Sequence, residues 1–179
     1  MKTYYLTLSQ VFPSTHPRAG EPTNFNSALD FAIRCAKIPE RQKGMCMGEC
    51  VAGYLKRHTI RANYEFWRKR FEKIAAGEAV LSIRQWVGKP YAKGSTQREI
   101  MRLTKDDGIG IQKPDFCRKE GTAKFVDGIL RPFADGKRID RTERLANNDG
   151  LSFDDWCDWF KDYDLSKPMA IIHFTKFRY

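Results

Sequence analysis

The sequence lacks most of the features that assign a chain to a class at a glance. No apolar run approaches the ~20 residues of a membrane span. The opening MKTYYLTLSQVF carries one Lys and then alternates apolar with hydroxyl residues, the pattern of a strand and not of a secretory leader. A cytoplasmic protein without membrane association is therefore expected. The five cysteines, Cys35, Cys46, Cys50, Cys117 and Cys157, are an odd set with no CxxC pair, which argues against a disulfide framework and against a standard zinc site. Cys46 and Cys50 are separated by three residues in MCMGEC, but His16, His58 and His173 have no paired spacing that would complete a tetrahedron. No metal and no cofactor are expected. His58 has no paired Ser or Cys nucleophile to make a triad. DDGIGIQ at 106 to 112 has only the GxG of a dinucleotide fingerprint, and there is no Walker lysine. Repeats and low-complexity tracts are absent as well.

What is present is a globular composition with unevenly placed charge. The 179 residues are 41% hydrophobic, 13% aromatic and 30% charged, which fits one folded domain and not a disordered polycation. The net charge is +10, and residues 51 to 103 hold 12 Lys+Arg against 4 Asp+Glu, so most of the excess comes from under a third of the chain. Charge gathered in this way suits a polyanion, because each neutralised phosphate releases counterions. RNA or another single-stranded nucleic acid is the expected partner, with a modified nucleoside as the small-molecule equivalent. An acidic protein partner is a third class, since charge alone does not identify its anion.

The pattern along the chain is that of an α+β protein. Residues 4 to 9 read as a strand, and a region rich in Pro and Gly follows. A helix begins near Ser27 with Leu29, Ile33 and Ala36 as its apolar stripe, and Pro39 ends it. Residues 40 to 52 read as a loop. Asn63 is a helix cap, and Tyr64, Trp67, Phe71 and Ile74 recur along one face, predicting a helix from about 64 to 76. EAVLSIRQW at 78 to 86 has period two, which puts Leu81 and Ile83 on one face and Arg84 with Trp86 on the other. QREIMRL at 97 to 103 is a returning strand after the turn GKPY. Residues 104 to 148 contain seven glycines and prolines and read as a long irregular excursion. Ser152 caps a closing helix that carries Phe153, Trp156 and Phe160, and MAIIHFTKF is a last strand. Trp67, Trp156 and Trp159 are expected in the core.

Two groups of residues could carry chemistry. KRHTIR at 56 to 61 brings Lys56, Arg57, Thr59 and Arg61 to a helix entrance, where cations and backbone N–H groups can converge on an anion. As a plain solvated loop the same residues would do nothing more. Arg84, Trp86, Lys89, Tyr91 and Arg98 interleave cations with aromatics around a strand, turn and strand, which suits unpaired bases better than duplex DNA. The competing reading buries Trp86 and leaves the cations to solvate a sheet edge.

Lys56, Thr59 and Arg61, then a helix, then LSIRQW and a turn and strand, resemble the ASCH domain of the PUA-like superfamily. The family signature has Gly two residues before the Lys; here that residue is Tyr54, and Gly53 stands one position earlier. NDGLSFDDWCDWF at 148 to 160 followed by IIHF is similar to the family's closing helix and strand. The resemblance implies a mixed β-barrel with flanking helices, with insertions at about 10–50 and 104–147, and a cleft for RNA or a nucleoside. It also implies an alternative activity, either an amidohydrolase acting on acylated cytidine or a small ribonuclease, with Lys56, Thr59 and Asp149 as the catalytic set. Asp149 stands where the amidohydrolase has Glu, a carboxylate with about 1 Å less reach. In chemical terms, Lys56 with a lowered pKa would activate the Thr59 hydroxyl, and Asp149 would carry a proton to the leaving amine. The non-catalytic alternative has Lys56 and Arg61 binding phosphate, Thr59 bonded within its loop and Asp149 capping a helix.

Overall fold

Alternation in KTYYLT makes β1 (Lys2–Thr7), with Tyr4 and Leu6 turned inward and Tyr5 outward. The computed structural model describes residues 1–38, 54–117, 131–164 and 167–179. β1 lies parallel to β3 (Ala79–Val87), and β3 turns back antiparallel into β4 (Thr96–Leu103). A register shift between Ile83 and Arg84 marks a bulge in β3, the kind of feature that increases local twist. Between β1 and β3 the chain forms α1 (Phe25–Lys37), β2 (His58–Ala62) and α2 (Tyr64–Ala75).

Both early helices follow their apolar stripes. In α1 the buried face is Phe25, Ala28, Leu29, Ala32 and Ile33, spaced at three and four residues. Ala36 is exposed, and Ala32 takes the place expected of it one turn earlier. α2 starts where its cap indicates: the Asn63 side chain accepts a hydrogen bond from the Phe66 N–H at 3.1 Å, and Trp67, Phe71 and Ile74 are buried.

β9 (Met169–His173) forms the centre of a second sheet, between β2 and β5 (Gly110–Gln112), with both pairings antiparallel. All five of its residues are buried, which explains its unbroken apolar run. The third sheet joins β6 (Pro114–Cys117), β7 (Arg131–Ala134) and β8 (Lys137–Arg138). Two helices, α3 (Thr142–Asn148) and α4 (Phe153–Phe160), precede β9. Ser152 caps α4, accepting from the Asp155 N–H at 3.0 Å.

The protein is thus mixed α+β, with four helices and three three-stranded sheets among the described residues, none of them closed into a barrel. The expected irregular excursion over 104 to 148 is corrected: it holds β5 to β8 and α3, and it places Phe116, Ala134, Ile139, Leu145 and Ala146 in the core. Its strands are two to four residues long, too short to display a period of two. The expected loop at 40 to 52, with Cys46 and Cys50, lies outside the described residues. No helix among the described residues is long and apolar enough to cross a membrane.

Candidate functional site

The site is built where the segment leading into β2 meets the end of α3. Lys56 and Asp149 form an isolated antiparallel bridge, and the Arg57 N–H donates to the Asn148 carbonyl at 2.8 Å. This pairing carries the Lys56 side chain inward. Its Nζ donates to Asp149 Oδ1 at 2.8 Å and to the Asp149 carbonyl oxygen at 2.5 Å, and lies 3.7 Å from the Phe25 ring centroid. Lys56 is 1% exposed and Asp149 3%. Gly150 makes the approach possible: it sits at φ +81°, and a Cβ there would come within 3.2 Å of the Lys56 Cβ.

The charges on this pair are set by burial. Desolvation holds the Lys56 amine below its ordinary pKa, with Asp149 opposing the shift and Arg61 adding to it. The Asp149 carboxyl is held above its ordinary value by the same desolvation, against the attraction of Lys56 and Arg61 and a hydrogen bond from the Trp156 side chain. Removing two charges from water costs energy that only close pairing recovers. The contacts of Lys56 with one carboxylate oxygen and the carbonyl oxygen of Asp149 supply that pairing.

β2 adds the next side chains. Alternation along the strand places Thr59 and Arg61 on the same side, Thr59 buried, and Arg61 Nη2 donates to the Thr7 carbonyl of β1 at 2.8 Å. Lys56, Thr59, Arg61 and Asp149 together line a pocket of about 280 Å³. Its walls are aromatic: Phe25 and Trp159, whose rings are 5.6 Å apart, with Phe160 and Tyr163. Trp86 and Tyr91 stand at the rim 4.9 Å apart, and Tyr91 is 88% exposed. Thr7, Ser9, Pro90 and Leu151 complete the lining.

Among the sequence-predicted residues the structure brings Lys56, Thr59, Arg61, Trp86, Tyr91 and Asp149 to this pocket. Arg57, Arg84, Lys89 and Arg98 do not line it. Arg84 lies on the open face of the first sheet, with its Nε on Ser82 Oγ at 3.1 Å and its guanidinium 4.0 Å from the Tyr5 ring centroid. Lys89 is exposed in the β3–β4 turn, where its carbonyl accepts from Ser95 Oγ at 2.7 Å. Arg98 pairs with Gln85 and so projects from the sheet face opposite Trp86. Arg57 turns toward Phe177, 5.4 Å from its ring centroid.

His58 belongs to the other side of β2. It is fully buried, lies opposite His173 in the strand pairing, and its Nε2 is 2.8 Å from the Tyr179 hydroxyl. Trp159, expected in the core, is partly buried and packed against it, and it also stands in the pocket wall, because it lies one turn on from the fully buried Trp156 at the edge of the α4 stripe. Phe25, Tyr163, Thr7 and Ser9 also line the pocket without having been anticipated. They come from segments far apart in the chain, and only the stripe of α1 offered a signal for Phe25.

Lys56, Arg61 and Asp149 leave the pocket with a net of one positive charge whether the Lys56–Asp149 pair is ionised or neutral, and both basic side chains are already bonded to protein oxygens. Such a pocket suits a flat, nearly neutral heterocycle held between rings, with polar groups recognised at the buried end. Comparison with known proteins brings no relative to this chain: no family model, no curated protein and no solved structure matches it.

Proposed function

We propose that the protein binds RNA or a modified nucleotide by taking one base into the pocket beside Lys56 and Asp149. The observation that carries this reading is the pocket itself: about 280 Å³ of space with aromatic walls and a buried polar end that combines donors and a carboxylate. That volume is near the lower limit of ligand pockets, about 300 Å³, and it admits one nucleobase or a small nucleoside. The base would lie among Phe25, Trp159 and the Trp86–Tyr91 rim. Its exocyclic and ring heteroatoms would face Thr59, Arg61 and Asp149. The cations on the neighbouring surface, Arg84 foremost, would hold the flanking phosphates. The resemblance to the ASCH domain and its PUA-like barrel is part of this proposal and points to the same class of ligand.

A second reading is favoured by one arrangement, the shared pocket of Lys56, Thr59 and Asp149. In an amidohydrolase acting on acylated cytidine, the Thr59 oxygen would add to the acyl carbonyl as a neutral Lys56 amine accepts its proton. The C–N bond would then break with the proton returned to the leaving amine, and water would release the acid from Thr59. Burial pushes Lys56 toward the neutral state that this step requires.

Titration of the full-length chain with cytidine, N4-acetylcytidine and a short single-stranded RNA, followed by tryptophan fluorescence, tests both readings. Saturable quenching by at least one of them, lost in Trp86→Ala, is the expected result. No response to any of the three would end the binding proposal. Release of acetate from N4-acetylcytidine by wild type and its loss in Thr59→Val would establish the hydrolytic reading, and absence of acetate would remove it.

A further inference from the structure

The peptide units that place Lys56 and Asp149 in the pocket place their neighbours elsewhere. Arg57 is half-buried, and its backbone is pinned on both sides: its N–H donates to the Asn148 carbonyl at 2.8 Å, and its carbonyl accepts from the Phe174 N–H at 2.9 Å. Arg144 of α3 approaches the same place. The two guanidinium carbons lie 5.4 and 5.7 Å from the centroid of one ring, that of Phe177, and Arg144 is also 5.9 Å from the Tyr179 ring. They are close enough for the charge of Arg144 to depress the pKa of Arg57, alongside the larger effect of burial.

Neither side chain makes an ion pair or a side-chain hydrogen bond with another described residue, although most other arginines do so. A half-buried guanidinium that shares one ring with a second, its donors unused by any described residue, is an arrangement that proteins keep at a cost unless something satisfies it. Among the described residues no carboxylate is paired with either guanidinium, and Cys35 and Tyr179 are the groups that favour the Arg57 cation. The Tyr179 hydroxyl is held neutral by burial and bonded to His58 Nε2 at 2.8 Å and Asn148 Nδ2 at 3.0 Å, and burial keeps His58 neutral.

We infer that Arg57 and Arg144, spread around the Phe177 ring, form a second ligand site that takes a phosphate group. Two guanidinium forks offer more donors than one carboxylate can accept, whereas a phosphate has oxygens for both and the charge to match. The site is separate from the pocket and needs no nucleobase. The phosphate could come from a single-stranded nucleic acid or from a free inorganic or small phosphorylated ligand, and the two sources are distinguished by the probes below.

The test uses the full chain with inorganic pyrophosphate and with an eight-nucleotide single-stranded RNA, binding being measured by calorimetry for wild type, Arg144→Gln and Arg144→Lys. Arg144 is exposed, so its variants are expected to keep the wild-type melting temperature and circular dichroism. The expected result is a roughly tenfold or larger loss of affinity in Arg144→Gln, with Arg144→Lys in between because charge survives without the fork. A loss seen with both probes assigns the site to phosphate in general; a loss confined to the RNA assigns it to a strand. Equal affinities in wild type and Arg144→Gln for both probes, or no binding of either by wild type, would overturn the inference.

Discussion

The Lys56 Nζ lies 2.8 Å from Asp149 Oδ1, and this ion pair, closed to solvent, joins two residues 93 positions apart. Removing one partner strands the other's charge in the interior. Asp149→Ala is expected to cost about 3–5 kcal/mol. The double variant Lys56→Met/Asp149→Leu, which leaves no orphaned charge, should recover much of that loss. Urea denaturation of the three proteins measures both; a loss below about 1 kcal/mol in Asp149→Ala would mean that water reaches the pair.

Gly150 gives a second, independent measure of how tightly that corner is built. At φ +81° an L-residue pays roughly 1–2 kcal/mol, and a Cβ would in addition press on Lys56 and on Phe25 Cδ1 at 3.4 Å. Gly150→Ala should therefore destabilise by at least that amount, whereas Gly94→Ala, also at positive φ but with nothing near its Cβ, should show the backbone cost alone. Equal losses in the two variants would show that the crowding at Lys56 is absorbed without cost.

His58 and His173 set the response to acid. Both are fully buried and paired across β2 and β9; desolvation keeps His58 well below its ordinary value and takes His173 down to about 3. In the unfolded chain each imidazole takes up a proton below about pH 6.5. For His173 the unfolded state binds more protons than the folded one from there down to about 3, and for His58 the same imbalance opens at about 6.5, so stability falls as pH drops, by up to ~1.4 kcal/mol per pH unit for each histidine. His173→Phe, placed among Phe177 and Tyr179, should reduce that slope by up to one histidine's share. Unfolding free energies at pH 7 and pH 5 for both proteins provide the comparison, and parallel slopes would contradict it.

The rim of the pocket is open to a test that leaves the core alone. Trp86 is only partly buried and faces Tyr91, so its loss should cost little stability. Base stacking on an aromatic side chain contributes roughly 1–3 kcal/mol. Trp86→Ala is expected to weaken nucleoside or RNA binding by at least about fivefold while the urea midpoint stays near that of wild type. Unchanged affinity with a correctly folded variant would remove the rim from the binding surface.

Local signals were legible in this sequence, and distant pairings were not. α2 could be placed almost to the residue, since Asn63 caps it and three apolar residues repeat over 12 positions. β3, β4 and β9 were equally readable from their periods or apolar runs. The strands β5 to β8 could not be, being too short for alternation to declare itself. Lys56, Thr59 and Asp149 could be nominated individually, but the bonding of Lys56 to the carboxylate and the carbonyl oxygen of Asp149 depends on a bridge between remote segments. The concentration of positive charge over 51 to 103 was plain in composition. Its dispersal was hidden, with Arg61 entering the pocket, Arg84 on a sheet face, Arg98 on the opposite face and Arg57 behind β2, because it depends on a bulge and on a turn at Lys56.

The rung formed by Lys56 and Asp149 has neighbours that matter as much as its members. Arg57 follows the one and Asn148 precedes the other, so a single hydrogen-bonded step of main chain, Arg57 N–H to Asn148 carbonyl, stands between the aromatic hollow and the paired arginines. If a guest on one side shifts that step, linkage requires the resulting change in affinity on the other to be mutual.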